Sequence, residues 1–80
     1  MKQPYLTYRI IIEPDEENTY HAYVPALPGC HTWGTSVLDA KKQIREAIEL
    51  YVECLVASGE TVPEEQSLDT FETIPYPQPA

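Results

Sequence analysis

The sequence predicts an α+β fold in which one long helix covers one face of a small antiparallel sheet. Short stretches rich in β-branched and aromatic residues fill the first part of the chain, residues 5–33, and one amphipathic pattern of helical period follows. With 80 residues, of which 42% are hydrophobic, the chain can form one small domain. The predicted order is β-β-β-α-β, a three-stranded meander, the helix, and a fourth strand beside the first.

Two alternating stretches predict the first hairpin. Residues Tyr5–Glu13 are dominated by β-branched and aromatic side chains, which favours a strand. Residues 14–18, PDEEN, predict a turn, because proline fixes φ and Asp and Asn side chains accept backbone hydrogen bonds. The second strand, Tyr20–Pro25, alternates again, with Ala22 and Val24 on one face.

The third strand is short and follows a tight turn. Pro28 and Gly29 fit the central positions of a type II turn, whose second residue needs a positive φ. Residues Cys30–Trp33 then return beside the second strand, and Gly34 ends the extended stretch. The prolines and glycines of this region are therefore predicted to shape the backbone.

The helix is the strongest prediction. Ser36 is a good N-cap, and Asp39 three residues later can return a hydrogen bond, as in a capping box. Gly59 suits the position just past the helix end, and Pro63 prevents continuation. About 22 residues would make a helix of roughly 33 Å. Its apolar stripe comprises Val37, Ala40, Ile44, Ala47, Ile48, Tyr51, Val52 and Leu55.

The C-terminal part carries the weakest pattern. Residues Asp69–Ile74 predict a fourth strand at the sheet edge, although Phe71 and Ile74 are out of phase with each other. Residues 75–80, PYPQPA, are typical of a flexible, proline-rich tail. We therefore expect one domain over residues 1–74 and a tail over residues 75–80.

Composition limits the classes of partner. The formal net charge is -8, from 13 acidic and 5 basic residues, which argues against nucleic-acid binding and favours a basic protein partner. Two widely spaced cysteines do not form a disulfide framework. No stretch is typical of a signal peptide or a membrane span, so a cytoplasmic protein without membrane association is expected.

A linked set of positions resembles the HicB antitoxin family. The pattern is Tyr20-x-Ala22-x-Val24-Pro25-x-Leu27-Pro28-Gly29-Cys30, then Gly34-Thr35-Ser36 and an amphipathic helix. The resemblance covers roughly residues 5–65. It implies a partial, degenerate ribonuclease H-like fold with the β-β-β-α-β order. It also implies a protein that binds and silences HicA, a small basic toxin that cleaves messenger RNA.

The chain departs from that family at two places. Many members carry a C-terminal helix-turn-helix or ribbon-helix-helix segment that binds their operator, whereas this chain ends in a proline-rich tail. We therefore expect no direct binding of nucleic acid. Many members have Gly-Asp-Thr or Gly-Glu-Thr before the helix, where this chain has Gly34-Thr35-Ser36. Ser36 still supplies the capping hydroxyl, so the fold is expected to be the same.

Three kinds of chemical site can be weighed against a structural role for the same residues. Cys30, His31 and His21 are candidate metal ligands, but adjacent strand residues point to opposite faces, so at most two would converge. A nucleophilic Cys30 would lack a base in reach. Ribonuclease H chemistry needs several converging carboxylates, and of the first three strands only the first, at Glu13, has one. We expect no catalytic residue, no metal and no cofactor.

The predicted partner-binding residues fall into two groups. The first lies on the outer face of the helix and just beyond its end. Basic residues occupy the N-terminal half of the helix and glutamates the C-terminal half, which is the order that the helix macrodipole disfavours. The second decorates the sheet face away from the helix. The predicted residues are Glu46, Glu49, Leu50, Glu53 and Glu60 in the first group, and His21, Tyr23 and Trp33 in the second.

Bland interpretations remain open beside these. Exposed charges cost little against the macrodipole, and Tyr76 of the tail could shield the aromatic face. The turn acids Asp15, Glu16 and Glu17 form a second candidate binding patch, which a solvated hairpin tip explains equally well. Another set of residues is predicted to act only in shaping the backbone. These structural residues are Pro25, Pro28, Gly29, Gly34, Ser36 and Gly59.

The resulting hypothesis is an antitoxin that occludes the active and RNA-binding face of a small basic HicA-like toxin. An uncovered sheet face also favours a homodimer or a higher homo-oligomer. Two alternatives stay open: an orphan protein-binding module without a toxin, and a weak metal-dependent nuclease.

Overall fold

The computed structural model describes residues 5–79, so residues 1–4 of the predicted domain and residue 80 of the predicted tail lie outside it. The elements are β1 (Ile11–Asp15), a 3₁₀ turn (Glu16–Asn18), β2 (Thr19–Tyr23), β3 (His31–Gly34) and α1 (Val37–Ala57). Within residues 5–79 the strands form one antiparallel sheet in the order β1-β2-β3, and α1 packs on one face. The predicted α+β class, with its meander and single covering helix, is confirmed.

The first hairpin is shifted along the chain relative to the prediction. β1 pairs with β2 from Ile11 opposite Tyr23 to Asp15 opposite Thr19, so the strand starts later than Tyr5 and takes in Pro14. Residues 5–10 do not pair with β2, because β2 ends at Tyr23, which lies opposite Ile11. Proline is tolerated in β1 because β1 is an edge strand of the described sheet.

The connection from β2 to β3 is a pair of consecutive turns. The Leu27 amide donates to the Val24 carbonyl (3.0 Å), and the Cys30 amide donates to the Leu27 carbonyl (3.0 Å). Gly29 has a φ of 81°, as the second central residue of a type II turn requires. The phenol of Tyr51 on α1 donates to the Pro28 carbonyl (2.8 Å), which ties the turn to the helix.

Both ends of α1 are capped by the residues that the sequence predicts. The Ser36 hydroxyl accepts from the Asp39 amide (3.0 Å). The Asp39 carboxylate accepts from the Thr35 amide (2.8 Å) and not from Ser36, so the return bond of the capping box reaches one residue further back. Gly59 has a φ of 73°, and the Glu60 amide donates to the Leu55 carbonyl (2.9 Å), as in a Schellman motif.

The core lies between α1 and one face of the sheet. Its buried members come from β2, the double turn and the first half of the helix, and they are Ala22, Val24, Leu27, Cys30, Ala40 and Ile44. Ile48 and Tyr51 pack against it, whereas Val37 is 50% exposed although the apolar stripe includes it. Gly34 lets β3 approach α1, because a Cβ there would lie 2.3 Å from the Ala40 nitrogen.

The predicted fourth strand at Asp69–Ile74 is wrong: residues 59–79 carry no helix or strand. Its side chains have nothing to pack against, since Phe71 is 94% and Ile74 is 76% exposed. The segment still runs beside residues 8 and 9, where the prediction placed it. The Arg9 amide donates to Glu65 (2.9 Å) and the Arg9 guanidinium to Asp69 (2.8 Å).

Candidate protein-binding site

The sheet face opposite α1 is uncovered by the described residues. Cross-strand pairing places Glu13 opposite His21, His21 opposite Trp33, and Tyr23 opposite His31. Directly paired residues share a face, so these side chains lie together on the side away from the core. We call this surface the open face and define it by Glu13, Asp15, His21, Tyr23, His31 and Trp33.

Four rings of the open face form one contact cluster. The His21 ring stacks between Tyr23 (ring centroids 5.4 Å apart) and Trp33 (4.8 Å). His31 meets both His21 (5.3 Å) and Trp33 (5.1 Å) edge-on. The His21 Nε2 and His31 Nδ1 atoms are 3.2 Å apart, a hydrogen bond in which one ring nitrogen donates to the other. The cluster is therefore ordered by its own contacts before any partner arrives.

Asp15 at the end of β1 fixes the tryptophan. The Trp33 indole N–H donates to the Asp15 carboxylate (2.8 Å), which also accepts from the Glu16 amide (2.8 Å). These donors, the indole first, hold the pKa of Asp15 below its usual value. The hairpin tip thus adds a negative charge to the edge of an aromatic surface that is itself half exposed, with Trp33 at 49%.

The acidic helix residues lie on the other side of the molecule. Ile44 faces the core, and Glu46 and Glu53 are exposed on the side of α1 turned away from it. The helix and the sheet thus separate these glutamates from the open face. Glu49 reaches toward Arg45 (3.9 Å), and Glu60 follows the helix end. The helix glutamates and the open face therefore do not form one continuous surface on a single copy.

Leu50 is the predicted helix residue that approaches the open face. It is 63% exposed and lines a shallow cavity of about 370 Å³ together with His31, Tyr51 and Cys54. That cavity lies between α1 and the start of β3, which is an edge strand of the described sheet. A partner on the aromatic cluster could therefore extend around β3 and contact Leu50.

The described residues also bear on the candidate chemical sites. Within residues 5–79 no group of three or more His, Cys, Asp or Glu side chains could hold a metal ion. Cys30 is 5% exposed, and burial raises the pKa of its thiol, which disfavours the thiolate that a nucleophile needs. The His21–His31 pair lies on the open face, as strand pairing predicts.

Two residues of the open face lie outside the two main predicted binding groups: His31 altogether, and Asp15 except as one of the turn acids. The composition of PDEEN predicts a turn at Asp15, and its bond to Trp33 depends on where the hairpin closes. His31 could have been included, because strand residues two apart share a face and His31 is two residues from Trp33.

No helix among the described residues is long and apolar enough to cross a membrane.

Comparison with known proteins gives consistent matches. A family model described as HicB-like antitoxin of bacterial toxin–antitoxin systems matches residues 8–77. A UPF0150 protein of Synechocystis is 44% identical over 64 residues, covering 80% of both chains. A UPF0150 protein of Thermoplasma acidophilum is 40% identical over 62 residues, covering 78% of this chain and 90% of the relative.

A solved structure is similar over most of the fold. The crystal structure of the N-terminal domain of the Burkholderia pseudomallei antitoxin HicB superposes with a TM-score of 0.63 at 41% sequence identity. The match covers 76% of this chain and 69% of the other.

Proposed function

The chain belongs to the HicB-like antitoxin family of bacterial toxin–antitoxin systems, and from this premise we propose that it neutralises a small basic HicA-type toxin by binding it. The complex would cover the face of the toxin that binds and cleaves RNA. In this proposal the antitoxin performs no catalytic step, and its side chains act by shape, charge and aromatic contact. The proposed setting is the cytoplasm, where the messenger RNA lies.

The observation that carries the proposal is the ordered aromatic cluster on the open face. Tryptophan and tyrosine are enriched among the residues that dominate protein-binding energies. Trp33 is held by Asp15 and stacked on His21, so little side-chain freedom is lost when a partner covers it. The flat, apolar indole lies beside the negatively charged Asp15 carboxylate, and this combination suits a basic partner.

Charge acts over a longer range. The net charge of -8 attracts a basic toxin from any side, and the helix glutamates contribute to that field although they lie away from the open face. Charges of this kind raise the association rate more than the final affinity. The proposal therefore assigns Glu46 and Glu53 to the rate of encounter, and Trp33, Tyr23 and Leu50 to the contact itself.

The test uses a HicA-type toxin, taken from the reading frame beside this gene where that frame encodes a small basic protein. The two proteins are mixed, and RNA cleavage and binding kinetics are measured for the native chain and its variants. We expect stoichiometric inhibition by the native chain and a loss of affinity of about thirtyfold for Trp33→Ala. The double variant E46K/E53K should associate about tenfold more slowly at low salt, with dissociation unchanged.

A matched control carries the same charge change on the hairpin. The double variant E16K/E17K alters the turn acids and leaves the helix untouched. Comparing its association rate with that of E46K/E53K therefore distinguishes the two acidic patches. Normal inhibition by Trp33→Ala would overturn the assignment of the contact to the open face. A native chain that leaves cleavage unaffected would favour the orphan binding module, and RNA cleavage by the chain with Mg²⁺, lost in Glu13→Gln, would favour the nuclease.

A further inference from the structure

A groove of about 790 Å³ runs between α1 and residues 5–10, on a different side of the molecule from the open face. Tyr8 and Ile10 pack against the core, but residues 5–10 have no partner strand, and the groove stays open between them and the helix. Leu38 in its lining is 80% exposed and Leu6 is 45% exposed. The apolar lining consists of Leu6, Tyr8, Ile10, Leu38, Ile48 and Val52.

The rim of this groove gathers most of the positive charge of an acidic chain. Lys41, Lys42 and Arg45 line it, and they are three of the five basic residues in the sequence. Glu49 and Glu53 line the later part of the same groove, so one end is basic and the other acidic. The groove is therefore suited to an apolar segment that carries carboxylates toward the start of α1.

The C-terminal segment of this chain has that chemistry. Between residues 60 and 79 there are five carboxylates and no lysine or arginine. Four large apolar side chains of the segment are 76% to 94% exposed, and they are Leu68, Phe71, Ile74 and Tyr76. The segment thus leaves these four apolar side chains uncovered on its own chain.

The segment does not reach the groove of its own chain. The Arg9 guanidinium holds Asp69 (2.8 Å), the Arg9 amide holds Glu65 (2.9 Å), and the Tyr8 phenol donates to the Pro63 carbonyl. Leu6, Thr7 and Tyr8 line both the groove and a second cavity that also touches Glu64 and Leu68. Residues 5–10 therefore lie between the groove and the C-terminal segment.

We propose that residues 70–76 of a second copy occupy this groove, and that two copies exchange these segments symmetrically, while Leu68 and Asp69 stay beside residues 6–9 of their own chain. Phe71 and Ile74 would contact Leu38 and Ile48, and Glu72 would lie near the basic rim. Exchange between identical chains gives a closed two-fold dimer in which each groove and each segment is used once. The inference goes beyond toxin binding, because it uses a different face of the molecule.

The test measures the dimer constant of the full chain by sedimentation velocity over a range of concentrations. We expect a dimer for the native chain and about tenfold or greater weakening for F71S/I74S and for Leu38→Ser. All three altered residues are exposed, so far-ultraviolet circular dichroism and the monomer's thermal midpoint should stay unchanged. E16K/E17K, on the hairpin tip, serves as the control and should dimerise normally.

A charge exchange tests the contact more closely. Lys42→Glu and Glu72→Lys should each weaken the dimer, and the double variant should recover most of the loss. A monomeric native chain would overturn the proposal. In that case a lower thermal midpoint for F71S/I74S would place the segment in the groove of its own chain, and an unchanged midpoint would not. A dimer that is insensitive to both F71S/I74S and Leu38→Ser would overturn it as well. The dimer constant is measured without toxin, so a chain that fails to bind toxin would leave the outcome of this test unchanged.

Discussion

The covered face and the open face of the sheet are made from alternate residues of the same strands, yet they are held in different ways. On the covered face, Ala22 and Val24 are 0% and 2% exposed and are fixed by packing against Ile44 of the helix. On the open face, His21 and Trp33 are fixed by stacking and by the indole bond to Asp15. The order of the first face follows from burial, and that of the second from local polar and ring contacts.

This difference separates folding from binding in one small domain. A surface ordered by its own side chains can be altered without opening the core, provided that the backbone register is kept. Substitutions on the covered face should therefore change the free energy of unfolding, and substitutions on the open face should chiefly change partner affinity.

The largest effects are expected on the covered face, beginning with the contact between β3 and α1. Gly34→Ala places a Cβ 2.3 Å from the Ala40 nitrogen and 2.6 Å from its Cα, so the helix must move off the covered face. We expect a loss of roughly 3 kcal/mol in the free energy of unfolding, measured by urea denaturation. Gly59→Ala is the matched control, because φ is 73° there but space is open, and should cost about 1 kcal/mol.

A core deletion compares the two faces directly. Ile44→Ala removes a fully buried side chain and should cost about 2–5 kcal/mol of unfolding free energy. Trp33→Ala removes a larger side chain from the open face but should cost less, about 2 kcal/mol, since half of it is already in water. Equal losses in the two variants would show that the open face is part of the core.

The helix cap should have a smaller effect. Ser36→Ala leaves the Asp39 amide without its acceptor and should lower the free energy of unfolding by about 1 kcal/mol. Ser58→Ala at the other end of α1 is the control, since Ser58 donates its backbone amide and not its hydroxyl to the helix. If Ser36→Ala is as stable as Ser58→Ala, the Ser36 cap does not fix the start of α1.

Acid should loosen the open face with the smallest change in stability. The pKa of Asp15 is lowered from 3.8 by the indole and by the Glu16 amide, so its folded value lies below its unfolded value. Its contribution is therefore present above pH 3.8 and is lost as the pH falls through the lower folded value. Trp33 fluorescence should change in that acidic range, and Asp15→Asn should remove the step. A step centred above pH 3.8 would contradict the bond.

Sequence patterns predicted the parts of this molecule that are enforced by burial or by backbone geometry. Ser36, Gly29 and Gly59 could be placed because a cap or a positive φ admits few residue types. The fourth strand failed because Phe71 and Ile74 have no apolar partner, and strand propensity without burial is weak. The bond from Asp15 to Trp33 joins residues 18 apart in the chain and depends on the hairpin register, which composition does not fix.

The separation of the two predicted binding groups has a similar cause. Helical periodicity identifies Glu46 and Glu53 as exposed, and strand alternation does the same for Trp33. Neither pattern reports on which side of the molecule an element presents those residues. That relation follows only once the helix is packed on Ala22 and Val24.

Trp33 itself offers the most direct test of the account, because it is the only tryptophan in the sequence and belongs to the ring cluster of the open face. Acrylamide quenching of its fluorescence is measured while a tryptophan-free form of the toxin is titrated in, with RNA cleavage followed in the same samples. The account predicts that quenching falls and the emission shifts to the blue in step with inhibition, reaching a limit at stoichiometric toxin. Complete inhibition with Trp33 as quenchable as in the free protein would contradict it.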